Sequence, residues 1–73
     1  MTMTVGNNIR NLRERKGLTQ YELAERAGVT QSHISLCENG AKMPSVKLCQ
    51  RLAAVFDCPL SSVLDTSNER RAV

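Results

Sequence analysis

The sequence predicts an all-α fold, a compact bundle of five short helices, and three observations favour it. The chain has 73 residues, which suits one small domain with a modest core. Only 3% of the residues are aromatic, so aliphatic side chains must build the core, which favours helices packed on helices. Apolar residues recur at helical spacing between capping residues and glycines, and no segment reads as a strand.

The composition excludes several classes of protein. A hydrophobic content of 41% with 23% charged residues is ordinary for a folded domain and too apolar for intrinsic disorder. The length excludes a multidomain enzyme with a separate cofactor module. No signal peptide or membrane-spanning stretch is visible, and three cysteines cannot all pair within one chain. We therefore expect a reduced, cytoplasmic protein. Its net charge of +3 is compatible with an anionic partner.

The first helix is predicted over about residues 5–16. Val5, Ile9 and Leu12 form an apolar stripe, and Gly17 follows the last turn. The second helix starts at Thr19, whose spacing to a glutamate three residues later is that of a capping box.

Gly28 ends the second helix, and Thr30 is the expected N-cap of the third. The pair Asn39–Gly40, two residues that tolerate left-handed backbone, ends the third helix. The two helices span about residues 19–39 and are separated by Gly28 and Val29 alone. Helices joined by so short a turn cross steeply and leave the second one protruding.

The remaining helices complete one domain over residues 1–65. Ser45 caps the fourth helix, which carries an apolar stripe from Leu48 to Phe56. Pro59 interrupts the chain before a last short helix. Residues 66–73 form a polar tail that we expect to fray.

Several motifs stand in register with one another: Gln20-Tyr21-Glu22-Leu23-Ala24, Gly28-Val29-Thr30, Ile34-Ser35 and Glu38-Asn39-Gly40. Together they resemble the helix-turn-helix of the Cro/CI–Xre family of bacterial and phage DNA-binding proteins. The resemblance extends from Ile9 to Leu64. It implies a lambda repressor-like DNA-binding domain that binds double-stranded DNA sequence-specifically as a homodimeric transcriptional regulator. It also suggests a stand-alone regulator, similar to phage Cro or repressor domains and to restriction–modification controller proteins.

The third helix is the expected recognition helix, because the major groove of B-DNA admits one α-helix and shows a distinct pattern for each base pair. The side chains expected to read bases are Gln31, Ser32, Ser35 and Leu36. Gln31 can bond adenine N6 and N7, and Leu36 can meet a thymine methyl group. The resemblance further implies that Gln20 bridges a phosphate and the base-reading glutamine.

Phosphate contacts are expected from the amide-rich start of the second helix and from polar side chains on the same side. The candidates are Gln20, Tyr21, Thr30, His33, Asn39, Lys42 and Lys47, with Arg10 and Arg15 as secondary candidates.

Several further residues are expected to have structural and not DNA-binding roles. The resemblance pairs Arg13 with Glu38 as a structural ion pair. Cys37, Cys49 and Cys58 are expected to pack in the core, with a thiol switch as the alternative. Their spacing does not suit zinc. A catalytic serine–histidine pair is excluded because Ser32 and His33 are sequence neighbours. We expect no enzyme activity, cofactor, metal or small-molecule ligand.

One recognition helix reaches only a few base pairs, so such domains pair across a two-fold axis and read half-sites about 34 Å apart. We therefore expect a homodimer on a palindromic or pseudo-palindromic operator. The predicted interface lies at the end of the fourth and fifth helices and uses Val46, Val55, Leu60 and Val63.

Two alternatives remain open. The first is an antitoxin. An antitoxin normally needs an additional segment that wraps around its partner, and only the eight-residue tail could serve as that segment, which argues against this alternative. The second is a protein-binding module that has lost DNA binding. The presence of Gln20, Gln31 and the lysine and asparagine phosphate candidates argues against the second.

Overall fold

The computed structural model describes residues 4–65. Its helices, in chain order, are α1 (Val5–Arg15), α2 (Gln20–Ala27), α3 (Gln31–Glu38), α4 (Val46–Phe56) and α5 (Leu60–Leu64). No strand occurs within residues 4–65, so the predicted all-α, five-helix architecture is confirmed. Residues 66–73, which are predicted to fray, lie outside the described residues. The first three residues of the predicted domain also lie outside them.

The predicted N-caps form the hydrogen bonds that start their helices. The Thr19 hydroxyl accepts from the Glu22 N–H at 3.1 Å, and the Glu22 carboxylate accepts from the Thr19 N–H at 2.9 Å. These bonds lower the pKa of Glu22, because they favour its charged form. The hydroxyl of Thr30 and that of Ser45 each accept from the N–H three residues on, at 3.1 and 3.0 Å. The helix starts are thus set by local polar contacts.

The turn between α2 and α3 depends on Gly28, whose φ of +75° is a left-handed conformation that other residues rarely adopt. At the end of α3 only Gly40 is left-handed, while Asn39 keeps right-handed backbone. Asp57 takes the corresponding left-handed position after α4, with a φ of +56°. Pro59 precedes α5 and provides no side-chain cap. These turns fold the chain back over a common core.

The core is filled by aliphatic, thiol and phenyl side chains from all five helices. Cys37 and Cys49 are buried in it and Cys58 is half-buried, and burial raises the pKa of each thiol. Val63 has 0% of its surface exposed. The prediction that Val63 lies in a dimer interface is therefore wrong, because α5 turns this side chain into the core of its own chain.

Two residues of α1 fix its packing against distant elements. A Cβ atom added to Gly6 would lie 2.2 Å from the Cys37 carbonyl oxygen, so α1 approaches the end of α3 at backbone contact. Asn8 is buried, and its Nδ2 donates to the carbonyl oxygens of Val63, at 3.0 Å, and Asp65. Neither residue was singled out from the sequence, and both determine how α1 holds α3 and α5.

A buried ion pair joins α1 to α3. Glu38 is 2% exposed, and its Oε2 lies 2.7 Å from Arg13 Nε, with a second bond of 3.1 Å between Oε1 and Arg13 Nη2. Arg13 also donates from Nη1 to the Leu18 carbonyl oxygen at 2.8 Å. The bidentate bond to Glu38 raises the pKa of Arg13, because it favours the charged guanidinium. The pair proposed from the sequence is present in the structure.

Gly6→Ala is expected to destabilise the protein by about 1–3 kcal/mol, because the new methyl group meets carbonyl backbone that cannot move without separating α1 from α3. This steric cost exceeds the roughly 0.5–1 kcal/mol that alanine gains over glycine in a helix. Urea denaturation measures the change. Asn11→Ala, at an exposed position of the same helix, is the control and is expected to change stability little. An unchanged or higher stability of Gly6→Ala would contradict the close approach.

Glu38→Ala is expected to lower the free energy of unfolding by about 3–5 kcal/mol, because it leaves the Arg13 guanidinium without its main partner. The double variant Arg13→Met/Glu38→Met removes both charges and should recover part of that loss. Urea denaturation of the two singles and the double gives the coupling energy. Strictly additive losses would show that the two side chains do not act as a pair.

Candidate nucleic-acid interface

The outward face of α3 consists of the side chains predicted to read bases. Gln31, Ser32 and Leu36 are exposed and Ser35 is half-buried, and Leu36 keeps 44% of its surface exposed despite being apolar. The opposite face of the same helix is anchored in the protein through Ile34, Cys37 and Glu38. The four outward residues line one shallow concavity together with Gln20 of α2. The structure thus brings the predicted base-reading residues together.

Gln20 contacts the buried ion pair behind the outward face of α3. It is the first residue of α2 and is half-buried. Its Nε2 donates to Glu38 Oε1 at 3.1 Å. This bond was not predicted from the sequence, because the predicted partners of Gln20 were a phosphate and Gln31. The Glu38 carboxylate therefore joins α1, α2 and α3.

A second amide at the far end of α3 is held by α1. Asn39 Oδ1 accepts from Arg10 Nη2 at 3.3 Å, and Arg10 Nε lies 3.5 Å from Glu38 Oε1. Because the Asn39 oxygen accepts from Arg10, its amide nitrogen occupies the other branch of the side-chain amide. Arg10, a secondary phosphate candidate, thus orients Asn39. Arg15, the other secondary candidate, lines a separate groove between α1 and α5.

The other predicted phosphate contacts differ in their surroundings. Tyr21 is exposed, and its hydroxyl donates to Glu25 Oε2 at 3.3 Å. Thr30 is exposed and caps α3 through its hydroxyl oxygen, while His33 is half-buried. Lys42 and Lys47 are both exposed. Within residues 4–65 neither lysine has an ion-pair partner.

Two apolar residues are exposed near the start of α4, one in the preceding loop and one in the first turn of the helix. Val46 is 64% exposed and Met43 is 69% exposed. Val55 and Leu60, from the same predicted dimer surface as Val46, are half-buried against the core. Met43 was not predicted from the sequence, because a single methionine in a loop carries no periodic signal.

In the part of the chain that the structure describes, no group of three or more histidine, cysteine, aspartate or glutamate side chains is arranged to hold a metal ion. The described helices are all too short or too polar to cross a lipid bilayer.

The family match and the similar proteins confirm the resemblance to the Cro/CI–Xre helix-turn-helix family. Residues 9–63 match a family model described as helix-turn-helix. The HTH-type transcriptional regulator SinR of Bacillus subtilis is 35% identical over 66 residues, which cover 89% of this chain and 60% of SinR. The competence pilus inhibition repressor of Acinetobacter baylyi is 38% identical over 61 residues, covering 84% of this chain and 56% of that protein. This chain thus spans about 60% of the length of these curated relatives.

Solved structures show the same fold. SinR in complex with DNA superposes with a TM-score of 0.80 at 35% identity, covering 85% of this chain and 100% of that one. The P22 c2 repressor in complex with a synthetic operator gives a TM-score of 0.82 at 25% identity, covering 89% and 98%. The restriction–modification controller protein C.AhdI of Aeromonas hydrophila gives 0.79 at 30% identity, covering 82% and 91%.

These relatives are transcription regulators, repressors or controller proteins rather than enzymes, as the sequence predicted for this chain. The family match extends over most of the residues that carry the sequence resemblance. The chain belongs to the helix-turn-helix family of DNA-binding transcription regulators, in its Cro/CI–Xre type.

Proposed function

We propose that this chain is a sequence-specific transcription regulator that binds double-stranded DNA as a homodimer, with α3 in the major groove. The observation that carries the proposal is the division of α3 into two faces. Its inward side is buried, while its outward side presents polar groups and Leu36 to solvent. A protruding helix with free donors and acceptors fits the width of the major groove.

The outward residues divide between hydrogen bonding and apolar contact. Gln31 opens α3, and its amide can form two hydrogen bonds with adenine. Ser32 and Ser35 can donate to or accept from a base, and Leu36 can pack on a thymine methyl group. These four side chains supply the sequence preference.

The remaining candidates supply affinity without sequence preference. The exposed ammonium groups of Lys42 and Lys47 and the outward amide of Asn39 can each bind a phosphate. The first N–H groups of α2, beside Gln20 and Tyr21, offer an anion site of the kind found at helix starts. Thr30 and His33 flank the start of α3. Binding through such contacts weakens steeply with salt.

The homodimer rests on Val46, Val55 and Leu60, since Val63 is buried. Val46 is the most exposed of the three and begins α4. A two-fold pair that joins this end of two chains would read a palindromic or pseudo-palindromic operator, and we place this activity in the cytoplasm.

Gln31→Ala and Lys47→Ala are expected to weaken binding in different ways. Once random-site selection has identified the operator, Gln31→Ala should lower the free energy of operator binding by about 1–3 kcal/mol and relax the preference at one base pair of each half-site.

Lys47→Ala should weaken binding to operator and random DNA alike and reduce the slope of log K against log salt by about 1. Fluorescence anisotropy over a salt series measures both.

Gln50→Ala, at an exposed position of α4, is the matched control for the glutamine substitution. Equal losses on operator and random DNA for Gln31→Ala would refute its base-reading role. A selection that enriches no sequence would refute the proposed function itself.

Val46→Glu is expected to weaken self-association, because it places a charge in the proposed interface of both chains. The helix itself should tolerate the change, since a carboxylate in the first turn suits the helix dipole. Sedimentation velocity, free and on operator DNA, is the measurement, and Gln50→Glu is the control. A wild-type protein that sediments as a monomer in both conditions would exclude the homodimer.

A further inference from the structure

A polar groove of about 230 Å³ lies between α1 and α5, on the side of α1 that faces away from α3. The α1 residues that contact the end of α3 are Gly6, Arg10 and Arg13. Groove residues follow two positions later, which is about 200° around the axis of an α-helix. The groove therefore lies apart from the surface proposed to bind DNA. Its lining includes Asn8, Asn11, Leu12 and Arg15 of α1, Cys58, and Ser62 of α5.

Asn8 carries a buried hydrogen-bond acceptor in the wall of this groove. The residue is 4% exposed, and its Nδ2 donates to the carbonyl oxygens of Val63 and Asp65. An amide nitrogen has two N–H groups, so these two bonds use both of them. Among residues 4–65, no group donates to Asn8 Oδ1. Because a buried acceptor without a donor is unfavourable, this position favours a ligand that brings an N–H group.

Arg15 brings a positive charge to the other end of the same groove. It is exposed, and it takes part in no ion pair with another of the described residues. Seven residues separate it from Asn8, which corresponds to about 10.5 Å along the helix axis. Side chains of a helix lean toward its N-terminus, so the long arginine side chain extends toward Asn8. Its guanidinium can bind a carboxylate through two parallel hydrogen bonds.

We propose that the groove binds a small polar amino acid, whose ammonium group donates to Asn8 Oδ1, whose carboxylate binds Arg15 and whose side chain contacts Ser62. Its volume is below the roughly 300–1,000 Å³ of sites for drug-sized ligands, which suits a molecule of this size. We expected no small-molecule ligand from the sequence, because only the folded chain brings Asn8 and Ser62 together. The site goes beyond the proposed function and does not depend on DNA binding.

L-serine and two fragments of it test the proposal on the full chain without DNA. 3-Hydroxypropanoate is serine without its amine, and ethanolamine is serine without its carboxylate. Titrations followed through the backbone amide signals in proton–nitrogen NMR spectra give the affinity of each compound. Serine is expected to shift the signals of the groove residues saturably. Each fragment is expected to bind about tenfold more weakly or worse, because it lacks one of the two charged groups.

Two substitutions with matched controls locate the binding in the groove. Arg15→Met is expected to weaken serine binding by about tenfold or more, and Arg26→Met, at an exposed position of α2, should leave it unchanged. Ser62→Ala is expected to weaken it about two- to tenfold. Ser61→Ala, at the exposed neighbouring position outside the groove lining, should have no effect. The spread of amide signals in each spectrum confirms that the variant is folded.

Several results would overturn the proposal. They are the lack of a saturable shift with serine, equal affinity for serine and its two fragments, and serine binding that Arg15→Met leaves intact. Nuclear Overhauser contacts between residues 66–73 and Asn8 in the protein without serine would also overturn it, because the chain would then fill its own groove. DNA binding is measured separately, so none of these results bears on the proposed function.

Discussion

The buried carboxylate of Glu38 is the constraint on which the arrangement of the first three helices depends. A charge without solvent must find partners inside the protein, and Glu38 takes them from Arg13 on α1 and Gln20 on α2. These bonds are directional, so they determine where α3 lies and also its rotation about its own axis. A purely apolar contact at this point would allow small rotations that move every outward side chain.

The sequence predicted best those features that depend on neighbours a few residues away. The capping box of Thr19 and Glu22, the Thr30 cap and the left-handed Gly28 each satisfy backbone groups within one turn. Their residue types therefore identify them without knowledge of the fold. The outward face of α3 followed from helical periodicity once its inward side chains, such as Ile34, had been assigned to the core.

Features that depend on distant elements could not be predicted in this way. Gly6 is required because the carbonyl of Cys37 approaches it, and the bonds from Asn8 end on α5. Val63 was placed on the surface because α5 is little more than one turn, too short for its apolar residues to define a face. The bond from Gln20 to Glu38 likewise joins side chains that only the folded chain brings together.

If α3 reads bases as proposed, its two faces make stability and base preference largely separable. Substitutions at the exposed Ser32 or Leu36 remove few contacts within the protein, whereas changes at Ile34 or Cys37 disturb its core. Gln20 is the exception, because it contacts the ion pair that holds the helix and also lines the surface proposed to read DNA. In the proposed complex, a change in the core around Glu38 would therefore alter how α3 meets a base pair, even where every outward residue is kept.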